Sequence, residues 1–392
     1  MVVVDKTPAN DTLFYYYTLV PPQSKDDIVC IIPIQICHLG VITSSRNHSC
    51  LSVAMLYLSM PVYKLQLKIN MSGECHTNGE NPLVSVVIPT YGRDGRLPAA
   101  IKSVLNQQYD RIELLVVDDG SPTPVATTLP EDILSDGRVK TIRHKENRGA
   151  NVARNTGIQT LNGDYVAFLD DDDRWDETKL RKQVDTFTES SPETGVVYTW
   201  VKRESATGTT VSTPSAAGEV VTDLLTGANF GQFSSVLVDT EVISDAGLPD
   251  ERFPAWQDRE WFFRLAQACE FQPVTETLTY RQTGREDSIT AKFEQKRDVA
   301  YPLFVEKHGS LAAEYGKYYK RTFLASMRRS LARSAIHAGR YDEARKYFLL
   351  AFFANPLYRP VHPHLLPSLG GEWTYEGVAS LRRKLTETIP AK

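Results

Sequence analysis

Between residues 83 and 170 the apolar positions fall in short blocks, separated by stretches with helical spacing. Leu83 to Pro89 (LVSVVIP) is a nearly continuous apolar run, the pattern of a parallel strand covered on both faces. After a turn at Thr90-Tyr91-Gly92-Arg93, Leu97, Ile101, Val104 and Leu105 recur on one face of a predicted helix. Ile112 to Val117 predicts a second strand, closed by Asp118-Asp119-Gly120-Ser121, and Val139 to Arg143 a third. Asn147-Arg148-Gly149 breaks the chain and opens a helix carrying Asn151, Arg154 and Asn155. Tyr165 to Leu169 is a further run of strand length and ends in four consecutive carboxylates, Asp170 to Asp173. Strands alternating with helices imply an α/β fold, a mostly parallel sheet with right-handed crossovers and helices on both faces.

Past this region the pattern loosens. Val196 to Trp200 reads as a strand, Thr207 to Gly218 as a loop rich in Thr, Ser, Gly and Ala, and Phe233 to Val238 as an apolar run. Gln257-Asp258-Arg-Glu-Trp-Phe-Phe-Arg264 opens a helix that turns Trp261, Phe262 and Leu265 to a core, with Asp258 and Glu260 in its first turn. From about Phe293 the chain reads as helices, and residues 331–356 resemble one tetratricopeptide-type hairpin. One such repeat cannot bury its own face, so packing on the main domain is expected, or a patch for a partner or membrane. Lys317, Lys320, Arg321, Arg328, Arg329 and Arg333, interleaved with Tyr318, Tyr319, Phe323 and Leu324, read as a solvated helix face, with contact to anionic lipid as the alternative. The expected division is a poorly defined extension over 1–80, an α/β domain over 81–295 and a C-terminal α-helical region over 296–392.

Composition adds constraints. The 392 residues allow one large domain and a smaller one, and a net charge of −4 leaves no footprint for nucleic acid. Cys30, Cys37, Cys50 and Cys75 precede the first clear strand and only Cys269 follows it. An odd count without CxxC spacing argues for a reduced, intracellular protein. Ile28 to Thr43 is apolar but interrupted by Pro33, Gln35 and His38, and shorter than the ~20 residues a membrane helix needs. Asp26 and Asp27 precede it where a signal peptide carries positive charge. Translation is expected to begin at Met71, with a loosely ordered, membrane-contacting extension as the alternative.

The acidic run is the candidate centre of the chemistry. Carboxylates at the end of a buried strand lie where open α/β sheets bind ligands, and like charges packed there repel unless a cation sits among them. Alternate residues turn to one side, so Asp170 and Asp172 are the pair expected to face a divalent metal, Mg²⁺ or Mn²⁺, and a diphosphate. Asp118 and Asp119, at another strand end, are candidates to accept hydrogen bonds from a base or ribose, although Asp-Asp-Gly-Ser is also an ordinary turn. Arg148 and Arg154 gain meaning from their place between the two acidic ends.

Residues ~82–290 resemble the family 2 glycosyltransferases with the GT-A fold, enzymes that move a sugar from a nucleotide donor. The resemblance is carried by Val86-Val87-Ile88-Pro89-Thr90-Tyr91, Val117-Asp118-Asp119-Gly120-Ser121, Arg148-Gly149-Ala150 with Ala153-Arg154-Asn155, and Phe168 through Asp173. It implies that Pro89, Thr90 and Tyr91 line the base pocket, that Asp118 or Asp119 binds the base, and that Arg154 lies near the phosphates or sugar. Asp170 and Asp172 become the Asp-x-Asp motif, with Asp172 nearest the metal. Asp258, just before an aromatic helix, resembles the catalytic base; the plainer reading is a favourable acid at a helix N-terminus. Gln257 and Gly92 replace residues frequent in the family, and a histidine often found after Tyr280-Arg281 is absent.

The Gln-x-x-Arg-Trp motif of processive synthases is also absent, which implies transfer of one sugar at a time. The implied activity is inverting and metal-dependent, with a UDP-sugar as the expected donor and a glycan or polyprenyl- or dolichyl-linked acceptor. The expected location is cytoplasmic, with peripheral contact at the cytoplasmic membrane face left open. A sugar-phosphate nucleotidyltransferase would need a glycine-rich loop after the first strand, which Pro89-Thr-Tyr-Gly-Arg does not supply. A non-catalytic scaffold would not need Asp170, Asp172 and Asp258.

Overall fold

The computed structural model describes residues 2–3, 16–17, 81–92, 95–205, 208–282, 293–371, 373–375 and 377. The chain divides into two compact units, Met1–Cys75 and His76–Lys392. In the first, the described residues form one short antiparallel pairing of Val2–Val3 with Tyr16–Tyr17. Met71 and the apolar stretch 28–43 lie outside the described residues.

The second unit is built on a nine-stranded sheet. Its strands, in chain order, are β1 (Val84–Thr90), β2 (Ile112–Asp118), β3 (Val139–Arg143), β4 (Tyr165–Phe168), β5 (Asp173–Trp175), β6 (Thr194–Ser205), β7 (Gly208–Ser212), β8 (Val236–Asp239) and β9 (Glu270–Gln282). Its spatial order is β3-β2-β1-β4-β8-β6-β9-β5, with β7 paired to β6. The first four strands are parallel. Helices α1 (Leu97–Leu105), α2 (Glu131–Leu134) and α3 (Ala150–Thr160) lie on the connections between them.

Every residue of β1 and β2 is buried, which explains their unbroken apolar runs. Alternation sorts them: Val86, Ile88, Leu114 and Val116 join α1's Leu97, Ile101 and Val104 in one core, while Val87, Leu115 and Val117 join another with Phe168, Tyr198 and Trp261. Gly157 lets α3 lie against the second face, since a Cβ there would sit 2.4 Å from Val87 Cγ1.

The far half departs from the mostly parallel expectation. β8 runs antiparallel to both β4 and β6, so the sheet is mixed. The stretch read as a loop over 207–218 contains β7, a hairpin partner of β6. β9 was not apparent from the pattern because register shifts near Val274, Thr277 and Thr279 break its alternation.

Helices α4 (Lys179–Glu189), α5 (Val221–Thr226), α6 (Val242–Ala246) and α7 (Gln257–Ala268) complete the α/β part. Trp261, Phe262 and Leu265 of α7 are buried as their spacing predicts. The tail comprises α8 (Tyr301–Glu314), α9 (Lys317–His337), α10 (Tyr341–Ala354) and α11 (His362–Leu369). α9 and α10 form a helical hairpin turned at Gly339 and sealed by Leu331, Ala335, Ala344 and Phe348. The tail does not stand apart: Phe304 of α8 and Phe323 of α9 pack on Phe263 of α7, inside the main core.

Candidate functional site

Two cavities open near the carboxyl ends of the central strands. The larger, about 900 Å³, is lined by Pro89, Thr90 and Tyr91 from the end of β1, Asp119 after β2, Arg148 before α3, Arg154 within α3, and Asp170, Asp171 and Asp172 after β4. Eight of the sequence-selected residues thus share one space. The other two do not line it: Asp118 lies behind the wall, and Asp258 faces a second cavity of about 390 Å³.

The two carboxylates after β2 have different environments. Asp118 accepts hydrogen bonds from the Ser121 amide (2.8 Å), the Val125 amide (3.2 Å) and the Arg143 guanidinium. Burial pushes its carboxyl up, but these donors outweigh it and hold the group below the usual carboxylate range. Asp119 accepts from the amides of Arg148 (3.0 Å) and Gly149 (2.7 Å), and His144 Nδ1 lies 2.7 Å away. It therefore fixes the turn that presents Arg148, and Gly149 enters α3 at φ 99°, a conformation that suits glycine.

Arg154 is almost wholly buried and organises the cavity floor. It donates to Asp170 Oδ1 (2.6 Å), Asn151 Oδ1 (3.2 Å) and Gln257 Oε1 (3.2 Å), and its guanidinium stacks 4.1 Å from the Phe233 ring centroid. Asn151 and Asn155 donate from the same helix to the carbonyls of Asp250 and Pro249, tying down the loop before α7.

The acidic run alternates. Asp171 (5% exposed) accepts from Thr90 Oγ1 at 2.7 Å, and Asp173 (1% exposed) accepts from Ser234 Oγ at 2.7 Å and from Arg281 Nε. Asp170 and Asp172 remain 26% and 22% exposed on the cavity wall. Burial pushes the Asp173 carboxyl well up; Arg281 opposes this and Asp170 adds to it. No cluster of three metal-ligating side chains forms among the described residues. Mg²⁺ and Mn²⁺ characteristically take one or two carboxylates and complete their shells with phosphate oxygens and water, so Asp170 and Asp172 fit an ion that arrives with a diphosphate.

Asp258 occupies the first turn of α7, after Trp256 in the left-handed conformation at φ 58°. The amide of Arg259 donates to its Oδ1 at 2.7 Å. Burial raises its pKa, opposed by that amide and by the charges of Arg281 and Arg154. A raised carboxylate at a cavity wall suits proton abstraction.

Arg281, at the end of β9, lines both cavities. It binds Asp173 and approaches Asp170 at 3.9 Å, so it stands between the acidic run and Asp258. Tyr280-Arg281 belongs to the family resemblance, but the pairing of Arg281 with Asp173 has no local signature, because the partner is 108 residues away. Arg329 and Arg333, read as part of a solvated face, also line the smaller cavity, Arg329 half-buried and Arg333 exposed. Their spacing with Ser326, Ser330 and His337 along α9 was the available signal, since all five fall on one helical face.

The model of the glycosyl transferase family 2 matches residues 85–238. This stretch is a family 2 glycosyltransferase domain. It is 39% identical over 110 residues to TuaG of Bacillus subtilis, a putative teichuronic acid biosynthesis glycosyltransferase, covering 28% of this chain and 44% of that protein. It is 40% identical over 102 residues to WfgD of Escherichia coli, named as a UDP-Glc:α-D-GlcNAc-diphosphoundecaprenol β-1,3-glucosyltransferase, covering 26% and 40%. The chain thus spans less than half the length of either relative. In fold it is similar to Staphylococcus aureus TarS (residues 1–349) in complex with UDP-GlcNAc, with a TM-score of 0.51, 16% identity, and coverage of 69% of this chain and 81% of that one.

Proposed function

We propose that the chain is an inverting glycosyltransferase that moves one sugar from a nucleotide-sugar donor to a hydroxyl of a glycan or lipid-linked acceptor. The observation that carries this reading is the convergence of Pro89, Thr90, Tyr91, Asp119, Arg148, Arg154, Asp170 and Asp172 on one cavity, with Asp258 on an adjacent one. The base and ribose would lie against Pro89-Thr90-Tyr91 and the turn held by Asp119. Asp118 is spent on the turn behind. A divalent ion held by Asp170 and Asp172 would offset charge on the departing diphosphate. Arg154, fixed by Asp170, Asn151 and Gln257, would orient the donor's sugar and phosphates.

At the reacting carbon, the acceptor oxygen forms its bond to the anomeric carbon as the bond to the diphosphate oxygen breaks. The electron pair leaves with the nucleoside diphosphate, and Asp258 takes the acceptor's proton. One displacement inverts the configuration. The activity for which WfgD is named supports a UDP-sugar donor and a lipid-diphosphate-linked acceptor. No helix among the described residues is long and apolar enough to cross a membrane, so a lipid-linked acceptor would be met at the membrane surface. Screening the purified chain with Mn²⁺ or Mg²⁺ against a panel of nucleotide sugars tests the reading: release of nucleoside diphosphate from one of them is expected, and release from none would refute it.

A further inference from the structure

The smaller cavity is built from β6, the loop after α5, the first turn of α7, the end of β9 and one face of α9. Its wall carries five arginines, Arg203, Arg259, Arg281, Arg329 and Arg333, against a single carboxylate, Asp258. Arg281 is neutralised by Asp173 and Asp170. The other four have no ion pair with a carboxylate among the described residues. Such crowding is unfavourable in itself: burial, with Arg281 and Arg333 nearby, pushes the Arg203 guanidinium below its ordinary range.

The hydrogen-bond inventory points the same way. Arg259 Nε and Gln232 Nε2, both on this wall, are buried donors without an acceptor, and the Arg259 Nη2 contact to Ser326 Oγ is long at 3.5 Å. A buried donor without a partner is unfavourable, more so when charged, and two on one wall leave room for acceptors supplied from outside the chain. The four guanidinium groups approach from three elements, β6, α7 and α9. That arrangement suits a tetrahedral oxyanion with acceptors on several sides better than a planar carboxylate, which one arginine fork can saturate.

We propose that this cavity binds a phosphate group of the acceptor, so that the molecule receiving the sugar is phosphorylated close to the hydroxyl that meets Asp258. The proposal rests on the glycosyltransferase reading only in naming that molecule the acceptor; the oxyanion site stands on its own geometry. It also gives the helical tail a task, since Arg329 and Arg333 of α9 supply one wall. The larger cavity, with Arg148 and Arg154, is left for the donor's diphosphate, and Arg281 separates the two sets of phosphates.

The test is binding of pyrophosphate to the full-length chain by calorimetry, comparing Arg329→Gln and Arg333→Gln with Arg148→Gln on the wall of the larger cavity. Each α9 substitution is expected to weaken binding by at least about tenfold, the loss of a charge-assisted hydrogen bond, with an unchanged melting temperature. At least one pyrophosphate site should survive Arg148→Gln. Binding that is lost only in Arg148→Gln, or that ignores both α9 substitutions, overturns the proposal. Sedimentation with phosphatidylglycerol and with phosphatidylcholine vesicles then separates the sources. Arg329-dependent binding to the anionic vesicles marks a lipid phosphate, and Arg329-dependent binding of pyrophosphate alone marks a soluble or polymeric one. Because the nucleotide-sugar screen is independent, failure of the donor reading leaves the pyrophosphate result standing, and the reverse also holds.

Discussion

Glu260 is the charge on which the placement of Asp258 depends. It is fully buried in α7, two residues past Asp258, and accepts from Arg264 Nε and Nη2 at 2.8 Å each. Lys307 Nζ of α8 lies 2.8 Å from the same carboxylate, and His308 Nε2 lies 3.3 Å away. Burial would push this carboxyl up; His308, Arg264 and Lys307 outweigh it and hold it down to about 2 from an ordinary 4.5. The difference corresponds to about 3 kcal/mol of stability at neutral pH. A depressed folded-state pKa gives stability that is complete above the unfolded value and is lost as pH falls toward the folded one. By about pH 3.5 roughly 1.4 kcal/mol, near half, should be gone. Glu260→Gln keeps the shape, removes the charge and leaves Arg264 and Lys307 under-compensated. Urea unfolding at pH 7 should show a loss of about 3 kcal/mol relative to wild type, or a fall in melting temperature of roughly 6–12 °C. Repeated at about pH 3.5, the gap between the two proteins should shrink by about half. A gap below about 1 kcal/mol at pH 7, or one that widens on acidification, would refute this account of how α7 is anchored to α8.

Asp258→Asn should lower turnover on a hydroxyl acceptor by about 10²–10⁴-fold with donor affinity near wild type; if donor binding is lost, Asp258 belongs to the nucleotide site. Burial raises the wild-type group, so its rate should climb with pH along a limb above the usual carboxylate range, and the Asn variant should lack that limb. Asp172→Asn should abolish the Mn²⁺ or Mg²⁺ dependence of donor binding measured by calorimetry, and unchanged dependence would remove Asp172 from the ligand set. Gly157→Ala drives a methyl into Val87 and should cost about 1–3 kcal/mol in chemical denaturation; a neutral result would mean that α3 can lift from the sheet freely.

The first half of the fold was legible because its information is local. Each of β1, β2 and β4 is an apolar run ending in the residues that line the cavity, so finding the strand located the chemistry. Alternation along Asp170 to Asp173 was legible for the same reason: in a short stretch after a strand, period two decides which carboxylates face out. What escaped was information held in pairing. β8 enters antiparallel between β4 and β6, and nothing in its four residues states a direction. β9 hides behind its bulges. Asp118 and Asp119 are chemically identical neighbours, and only the positions of Arg143, Ser121 and the 148–149 amides distinguish the turn-former from the residue on the cavity wall. The basic face of α9 is solvated in the main, as its spacing suggested: Lys317, Lys320, Arg321 and Arg333 are exposed, and only Arg328 and Arg329 are half-buried.

The rings of Phe263, Phe304 and Phe323, which join α7, α8 and α9, set how this chain can be divided by inheritance. The family match ends at residue 238, before Asp258, Arg281 and the α9 arginines. A recombination event at that border would keep Pro89 to Tyr91, Asp119, Arg148, Arg154 and Asp170 to Asp172 together but exchange Gln257, which holds Arg154, and Trp261, which packs on Phe168. A crossover further along, between α7 and α9, would split an interlocked aromatic cluster and leave both parents' halves with faces they cannot cover. If the arginine wall meets the acceptor as proposed, new preferences should therefore arrive either as single substitutions on that wall or as one inherited block running from α7 through α9 that still fits Phe168 and Arg154. A chimera cut at residue 315 should fail to express in folded form, and soluble, cooperatively unfolding protein from that cut would refute the interlock.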